Sequence, residues 1–282
     1  MLRPPHTSYS RLHVYHLDLK DRPEINDPDL IGVWIEDDTS VLFFHRPKDE
    51  LVADICLRKG CNITYQADLD YEDWESGQDI SAFTVDNLTV APVWETGPAD
   101  IYLDPSVIFG SGFHPTTRAC LQTLLHYLDT PEVAIRSMLD LGTGTGLLSI
   151  AAAFQGVGRV LSVDNNPLAC EVAEKNMEGN KVDRQVTVQQ LDLRHSLPET
   201  ANFDLVIANL YQVLLKDLFQ NPSFWQAKIY ILSGFISSME PNLLAALPQE
   251  RIRFLERIKA ENWRLWVLMT RDQSEINQHK HE

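Results

Sequence analysis

The sequence predicts an α/β protein: a mostly parallel sheet covered by helices on both faces, closed by an antiparallel hairpin and preceded by a small α+β domain. Three observations predict it. From about residue 137 onward, short apolar runs of strand type alternate with amphipathic helical runs, the pattern of a parallel sheet with crossover helices. A glycine cluster, LDLGTGTGLLSI (139–150), stands where the first of those strands meets its helix. The opening 65 residues lack the alternation and read as a few strands around one helix.

Taken in order, RLHVYHLDL, IGVWIEDD and SVLFFH are expected strands and DELVADICLRKG a helix, together a domain over residues 1–65. The acidic stretch QADLDYEDWESGQD (66–79) follows. It reads as a solvated bridge, since charge runs usually lie in water, and residues 66–90 are taken as a linker to a domain over 91–282. FGSGFHPTTRAC (109–120) leads into a helix whose Leu121, Leu124, Leu125 and Leu128 form an apolar stripe. SMLDL is a strand, LLSIAAAFQ a helix ended by Gly156, and RVLSVD (159–164) the next strand. Asn-Asn-Pro then opens the helix LACEVAEKNMEGN, with Pro167 in its first turn. VTVQ, FDLVIA and KIYIL supply strands and PNLLAAL a short helix, before RIRFLERIKA and WRLWVLMT pair as the closing hairpin. The tail NQHKHE reads as a frayed end rather than a metal site, and no metal is expected.

Composition narrows the function. The 282 residues are 44% hydrophobic and 23% charged, ordinary for a globular protein with length for a sizeable core. No apolar run approaches the roughly 20 residues that cross a bilayer, and MLRPPHTSYSRLHVYHLDL lacks the layout of a signal peptide. Cys56, Cys61, Cys120 and Cys170 form no CxxC pair. A disulfide framework is therefore not expected, and a cytoplasmic location is. The net charge of −16 opposes docking on nucleic acid and favours a basic protein partner.

Asp140, Gly142, Gly144 and Gly146 form D-x-G-x-G-x-G at a strand-to-helix junction. Glycine serves where backbone passes close to a ligand or takes positive φ, and open α/β sheets bind ligands at such strand ends. Dinucleotide sites use G-x-G-x-x-G. Here the spacing is tighter, and a carboxylate at Asp140 suits an ammonium or sulfonium better than a pyrophosphate, which favours S-adenosylmethionine over NAD. Asp164, with Asn165 beside it, ends the next strand, the place for a carboxylate accepting ribose hydroxyls. Asp192 follows the third strand and is a candidate acceptor for an adenine amino group. Each acid alone is equally a strand-end or capping residue. Their recurrence in successive loops makes a nucleoside site.

These segments resemble the class I S-adenosylmethionine-dependent methyltransferases, and within them the ribosomal large-subunit protein eleven methyltransferase family, PrmA. IYLDPSVIFGSGFHPTTRACLQTL, MLDLGTGTGLLSIAAA, VDNNPLACEVAEKN, FDLVIANLYQVLL and ILSGFI carry the likeness, with YEDWESGQDISAFTVDNLTVAPVWE and ERIKAENWRLWVLM also similar. It runs from about residue 70 to 270. The resemblance implies a Rossmann-like sheet and a segment at Phe109, Gly110, Ser111, Gly112, His114, Thr116 and Thr117 folded over the methionine end of the cofactor. The Gly142–Gly146 loop then lies beneath it, and the N-terminal domain recognises the protein substrate. His114 and Pro115 also fit as a helix cap, which is compatible with cofactor contact. Ser111 and Thr143 depart conservatively from the family's threonine and cysteine. The N-terminal 65 residues match poorly, which leaves the substrate open.

Methyl transfer to an amine needs a neutral nucleophile, and a lysine of pKa about 10.4 is deprotonated to about one part in 10³ at pH 7. A site must desolvate it and hold it in line. Asn209, at the end of FDLVIA, and the Leu210 carbonyl are candidate acceptors for that amine; Asn209 is otherwise a turn residue. The following Leu-Tyr-Gln contains no proline, unlike sites for planar base amines, and Tyr211 walls the pocket or simply packs. The reading is methylation of lysine or N-terminal amines of a ribosomal large-subunit protein. Another protein's lysine, a small molecule, or a non-catalytic cofactor-binding module are the alternatives.

Overall fold

In a computed structural model the described residues are 9–36, 38–74, 80–130 and 134–271. Residues 75–79 of the acidic stretch and the NQHKHE tail lie outside them. No helix among the described residues is long and apolar enough to cross a membrane.

The chain begins with strands β1 (Arg11–Leu17), β2 (Leu30–Glu36) and β3 (Thr39–Phe44), helix α1 (Asp49–Lys59) and strand β4 (Ile63–Asp70). They form an antiparallel sheet in the order β2-β3-β1-β4. Alternation of side chains sorts this sheet into two apolar faces. Tyr15, Leu17, Leu42 and Phe44 pack on Val52 and Ile55 of α1. Leu12, Val14, Val41 and Phe43 point the other way. Gly60 ends α1 in the left-handed conformation, its N–H donating to the Cys56 carbonyl.

The start of the stretch read as a solvated linker is strand β4. Its period is two: Ala67 and Leu69 are half-buried while Gln66, Asp68 and Asp70 face water. The acids meet basic partners across the ladder, Asp70 with Arg11 at 3.2 Å and Asp68 with Nδ1 of His13. The cross-strand Arg11–Asp70 pair, the His13–Asp68 hydrogen bond and the ladder itself hold the acidic strand in place. One turn of helix, α2 (Tyr71–Trp74), follows. A three-stranded sheet of β5 (Phe83–Val85), β6 (Leu88–Pro92) and β7 (Ile101–Leu103) then leads to α3 (Pro115–Leu128).

The large sheet comprises β8 (Ser137–Leu141), β9 (Arg159–Asp164), β10 (Val186–Gln190), β11 (Leu205–Asn209), β12 (Ile229–Ile236), β13 (Ile252–Ala260) and β14 (Trp263–Thr270). Their order is β10-β9-β8-β11-β12-β14-β13, parallel except for the hairpin β13–β14, whose second strand pairs antiparallel with β12. Between the strands run α4 (Leu147–Phe154), α5 (Pro167–Gly179), α6 (Gln212–Gln220) and α7 (Glu240–Ala246). Helices cover both faces. Leu205 and Ile207 meet α3 and α4 through Leu121, Leu124 and Ile150. Val206 and Ala208 meet Leu214, Leu215 and Leu218 of α6, a helix absent from the sequence reading.

Helix α5 is apolar on two sides. Ala173 and Met177 join the core of the large sheet, whereas Leu168, Ala169 and Val172 join the outer face of the N-terminal sheet. Arg22 forms a forked ion pair with Glu171 of α5, one arm at 2.9 Å. The Tyr9 hydroxyl donates to Asp104 at 2.7 Å, and that of Tyr71 to the Ser106 carbonyl. A Cβ on Gly32 would stand 2.6 Å from Leu168 Cδ1, so this glycine lets β2 lie directly on α5.

Candidate active site

The loops after β8, β9, β10 and β11 open at one edge of the sheet around a cavity of about 320 Å³. The first of them is the glycine cluster. Gly142 and Thr143 donate their N–H groups to the Val163 carbonyl, which ties the turn to β9. Gly144 holds φ +55° and donates its N–H to Asp164 Oδ2 at 3.0 Å. Gly146 caps α4 with φ +84°.

The two glycine-rich segments of the sequence are bonded to each other. Thr145 donates its N–H to the Phe109 carbonyl at 3.2 Å and its hydroxyl to the Gly110 carbonyl at 2.7 Å. A Cβ on Gly144 would stand 2.2 Å from the Phe109 carbonyl oxygen, so only glycine permits the approach. At the far end of the 109–117 segment, His114 caps α3, its Nδ1 accepting from the Thr116 N–H at 3.3 Å. Thr116 and Thr117, both buried, accept from Nδ2 of Asn209 at 3.0 and 3.4 Å. Segment, α3 and β11 thus share one polar network, and within it the buried Oδ1 of Asn209 has no partner among the described residues. An unpaired buried acceptor costs stability until a donor arrives.

Leu210 is fixed from below. Its N–H donates to the Ser233 carbonyl at 3.1 Å. Gly234, at φ +95°, runs so near that a Cβ there would stand 2.2 Å from the Leu210 carbonyl oxygen.

The acids occupy three environments. Asp140 is 1% exposed, and its Oδ2 accepts from the hydroxyls of Thr143 at 2.8 Å and Ser149 at 2.7 Å. Burial pushes its carboxyl up to about 6, against the pull of the two hydroxyls. Asp164 is half-buried, its two oxygens taken up by the N–H groups of Asn166 and Gly144, and burial raises its carboxyl above the usual range. Asp192 is held to about 2 by the Arg194 guanidinium, which donates to it at 2.7 and 3.0 Å.

Of the residues singled out in the sequence, Phe109, Gly142, Gly144, Asp164, Asn165, Asp192, Asn209 and Leu210 line the cavity, as does Tyr211. Gly110, Ser111 and His114 line a smaller cavity that shares Phe109 with it. Gly112, Thr116, Thr117, Asp140 and Gly146 line neither cavity. Eight lining residues escaped the sequence reading: Trp34, Ile108, Asn166, Ala169, Leu191, Leu193, Arg194 and Leu214. Arg194 lies two residues from Asp192 in a turn and was legible in principle. Trp34 comes from β2, with no local signal linking it to Asp164.

The donor set fits a nucleoside carrying a positively charged tail. Asp164 and Asn165 offer acceptors at the β9 end, Leu191 and Leu193 offer apolar surface, and the orphan Oδ1 of Asn209 awaits an N–H. Sheet order and loop placement are those of the Rossmann-like class I methyltransferases, whose methyl donor is S-adenosylmethionine. A crystal structure of ribosomal protein L11 methylase from Lactobacillus delbrueckii subsp. bulgaricus shares the fold, with a TM-score of 0.58 over 68% of this chain and 100% of that one at 24% identity.

A model of the ribosomal protein L11 methyltransferase (PrmA) family matches residues 43–271. The chain belongs to that family and is a methyltransferase. It is 30% identical over 213 residues to the ribosomal protein L11 methyltransferase of Carboxydothermus hydrogenoformans, covering 72% of this chain and 68% of that protein. It is 37% identical over 224 residues to that of Chloroflexus aurantiacus, covering 68% and 67%. Against that of Heliobacterium modesticaldum it is 36% identical over 183 residues, spanning 56% of the relative's length.

Proposed function

We propose that this chain methylates amino groups, lysine side chains or an N-terminal amine, of a ribosomal large-subunit protein, ribosomal protein L11 being the substrate that its relatives' names carry. One observation carries the reading: Asn209 lines the cavity with a buried oxygen that accepts no hydrogen bond among the described residues, next in the chain to Leu210, whose N–H is held by Ser233. A waiting acceptor suits an amine, which keeps N–H donors when neutral. S-adenosylmethionine supplies an electrophilic methyl on a sulfonium.

The residues divide the work. Asp164 and Asn165 take the ribose, Asp192 the adenine amino group, and the Phe109–Thr117 and Gly142–Gly146 segments the amino-acid end. Asp140, held by Thr143 and Ser149, stiffens the glycine turn from within. Asn209 Oδ1 and the Leu210 carbonyl orient the acceptor amine, so that proximity lowers the barrier. The domain over residues 1–65 recognises the protein, the scattered cysteines suit the cytoplasm, and the net charge of −16 supports a basic partner and no direct contact with nucleic acid.

The test is transfer of labelled methyl from S-adenosylmethionine into proteins of a cell extract lacking this enzyme, resolved by size and peptide. Label at amines of one small ribosomal protein is expected, with Asn209→Ala slowing it by about 10² to 10³, the scale for losing one well-placed polar contact to a transition state. Label in a different protein would overturn the substrate. An unaltered rate in Asn209→Ala would overturn the role of its amide.

A further inference from the structure

The segment over residues 109–117 is rooted in a short turn over 104–108. The Pro105 carbonyl accepts from the Ile108 N–H at 3.3 Å, and Asp104 Oδ1 accepts from the Ser106 N–H at 2.9 Å. Ser106, 2% exposed, takes φ +50°. A residue other than glycine keeps that left-handed conformation only where its surroundings hold it there.

One hold comes from the large sheet's side. Asn176 of α5 accepts at Oδ1 from the Asp104 N–H at 2.8 Å, and its Nδ2 donates to the carbonyls of Asp104 and Thr145, both at 2.9 Å. Thr145 donates in turn to the Phe109 and Gly110 carbonyls. Turn, segment, glycine loop and α5 thus close into one hydrogen-bonded circuit. Asn176 is 3% exposed, so a shift of the turn strains the bonds of Thr145 or leaves buried polar groups unpaired, which is costly.

The second hold comes from the N-terminal sheet. Tyr9 stands just before β1, and Tyr71 directly follows β4, its N–H donating to the Ser10 carbonyl at 3.0 Å. The Tyr9 hydroxyl donates to Asp104 Oδ1 at 2.7 Å, and the Tyr71 hydroxyl to the Ser106 carbonyl. Burial, and then the Asp104 carboxylate, push Tyr9 well above the ordinary tyrosine range, so its hydroxyl stays a donor. The two rings pack 4.9 Å apart, and Tyr9 also stacks on His45 at 4.8 Å and meets Trp94 edge-on at 5.2 Å. Val107 and Ile108 of the turn share one buried cluster with Tyr9, Tyr71, Leu12 and Val14. Ring packing therefore seats both tyrosines without their hydroxyls, which are left to grip the turn.

We propose that Tyr9 and Tyr71 are positioning residues for methyl transfer: through the turn over 104–108, the N-terminal sheet sets the segment that receives the cofactor's amino-acid end. The proposal deepens the reading of the 109–117 segment given above and rests on it. Neither tyrosine lines the main cavity, so each acts through Asp104 or Ser106 and not by touching the ligand.

The test is calorimetric titration of S-adenosylhomocysteine into the full chain, with stability read separately from urea midpoints. Tyr9→Phe and Tyr71→Phe each remove one hydroxyl and keep the ring. Each is expected to weaken binding about 5-fold, the worth of one hydrogen bond, and the double variant more than either. Tyr15→Phe is the control: its hydroxyl accepts from the Lys48 N–H at 2.8 Å and bonds Asp49 at 3.3 Å, away from the turn. That variant should lose stability with its affinity unaltered. If Tyr71→Phe does not fold, Tyr9→Phe decides alone. Unaltered affinity in Tyr9→Phe and Tyr71→Phe, or an equal loss in Tyr15→Phe, would overturn the proposal, because a role in stability alone moves the urea midpoint and not the affinity. No binding by the unaltered chain would overturn the reading of the segment and this proposal with it.

Discussion

Alanine at Gly144 tests the contact between the two glycine-rich segments, and its two effects can be separated. Gly144 sits at φ +55°, where a side chain costs about 1 to 2 kcal/mol. The added methyl would also stand 2.2 Å from the Phe109 carbonyl oxygen, whereas real Cβ atoms do not come within 3.0 Å. The obstacle is backbone, so the segments must part by about 0.8 Å between these two values. That separation strains both hydrogen bonds from Thr145, each worth about 1 kcal/mol. It also moves the wall that carries Phe109, and a displacement near 1 Å costs roughly 100-fold in rate where geometry governs catalysis. Gly60→Ala is the control: φ is +69°, yet nothing lies within 4 Å of its Cβ. Gly60→Ala is expected to lose about 1 kcal/mol of stability in urea with methyl transfer unaltered. Gly144→Ala should lose about 2 to 4 kcal/mol, with transfer about 100-fold slower. Equal losses of stability in the two variants, with transfer intact in both, would refute the claim that the segments touch.

Asp140 gives a pH signature. Its folded-state value, about 6, lies above the ordinary 3.8, so its contribution to stability is complete below about pH 3.8 and is lost as pH rises through 6, on the order of 3 kcal/mol. Asp140→Asn keeps an acceptor for Thr143 and Ser149 and does not titrate. The stability gained by the variant, from urea midpoints without cofactor, should grow from pH 4 to pH 7, and a constant difference would contradict the burial argument. Leu168→Ala removes a fully buried side chain shared by α5 and Gly32. It should cost about 2 to 5 kcal/mol and make Trp34 fluorescence more solvent-exposed; a loss under 1 kcal/mol would mean that β2 does not rest on α5.

Much of this protein was legible in local sequence. Parallel strands buried on both faces are continuous apolar runs, so Leu139, Val163 and Ile207 could be assigned without tertiary knowledge. The glycine turn and the acids at strand ends follow from topology, because every strand of a parallel sheet delivers its loop to the same edge. Helix α6 was missed because its apolar face, Leu214, Leu215 and Leu218, is short and follows directly on a strand of the same composition. Strand β4 was missed because its acids hid its alternation; pairing with Arg11 and His13 appears only when β1 lies alongside.

What the sequence by itself determined is therefore the large sheet and the loops its strands deliver to one edge, since both depend on periodicity and on residues close in the chain. The tertiary structure alone decided which groups meet across long separations. It bonded Thr145 to Phe109 and Gly110, left Asn209 with an unpaired oxygen, sank Asp140 beneath the cavity and carried Trp34 to its rim. The place of Trp34 follows from the packing of α5 between two sheets, and a helix apolar on both sides records in sequence that it is covered twice, not by what.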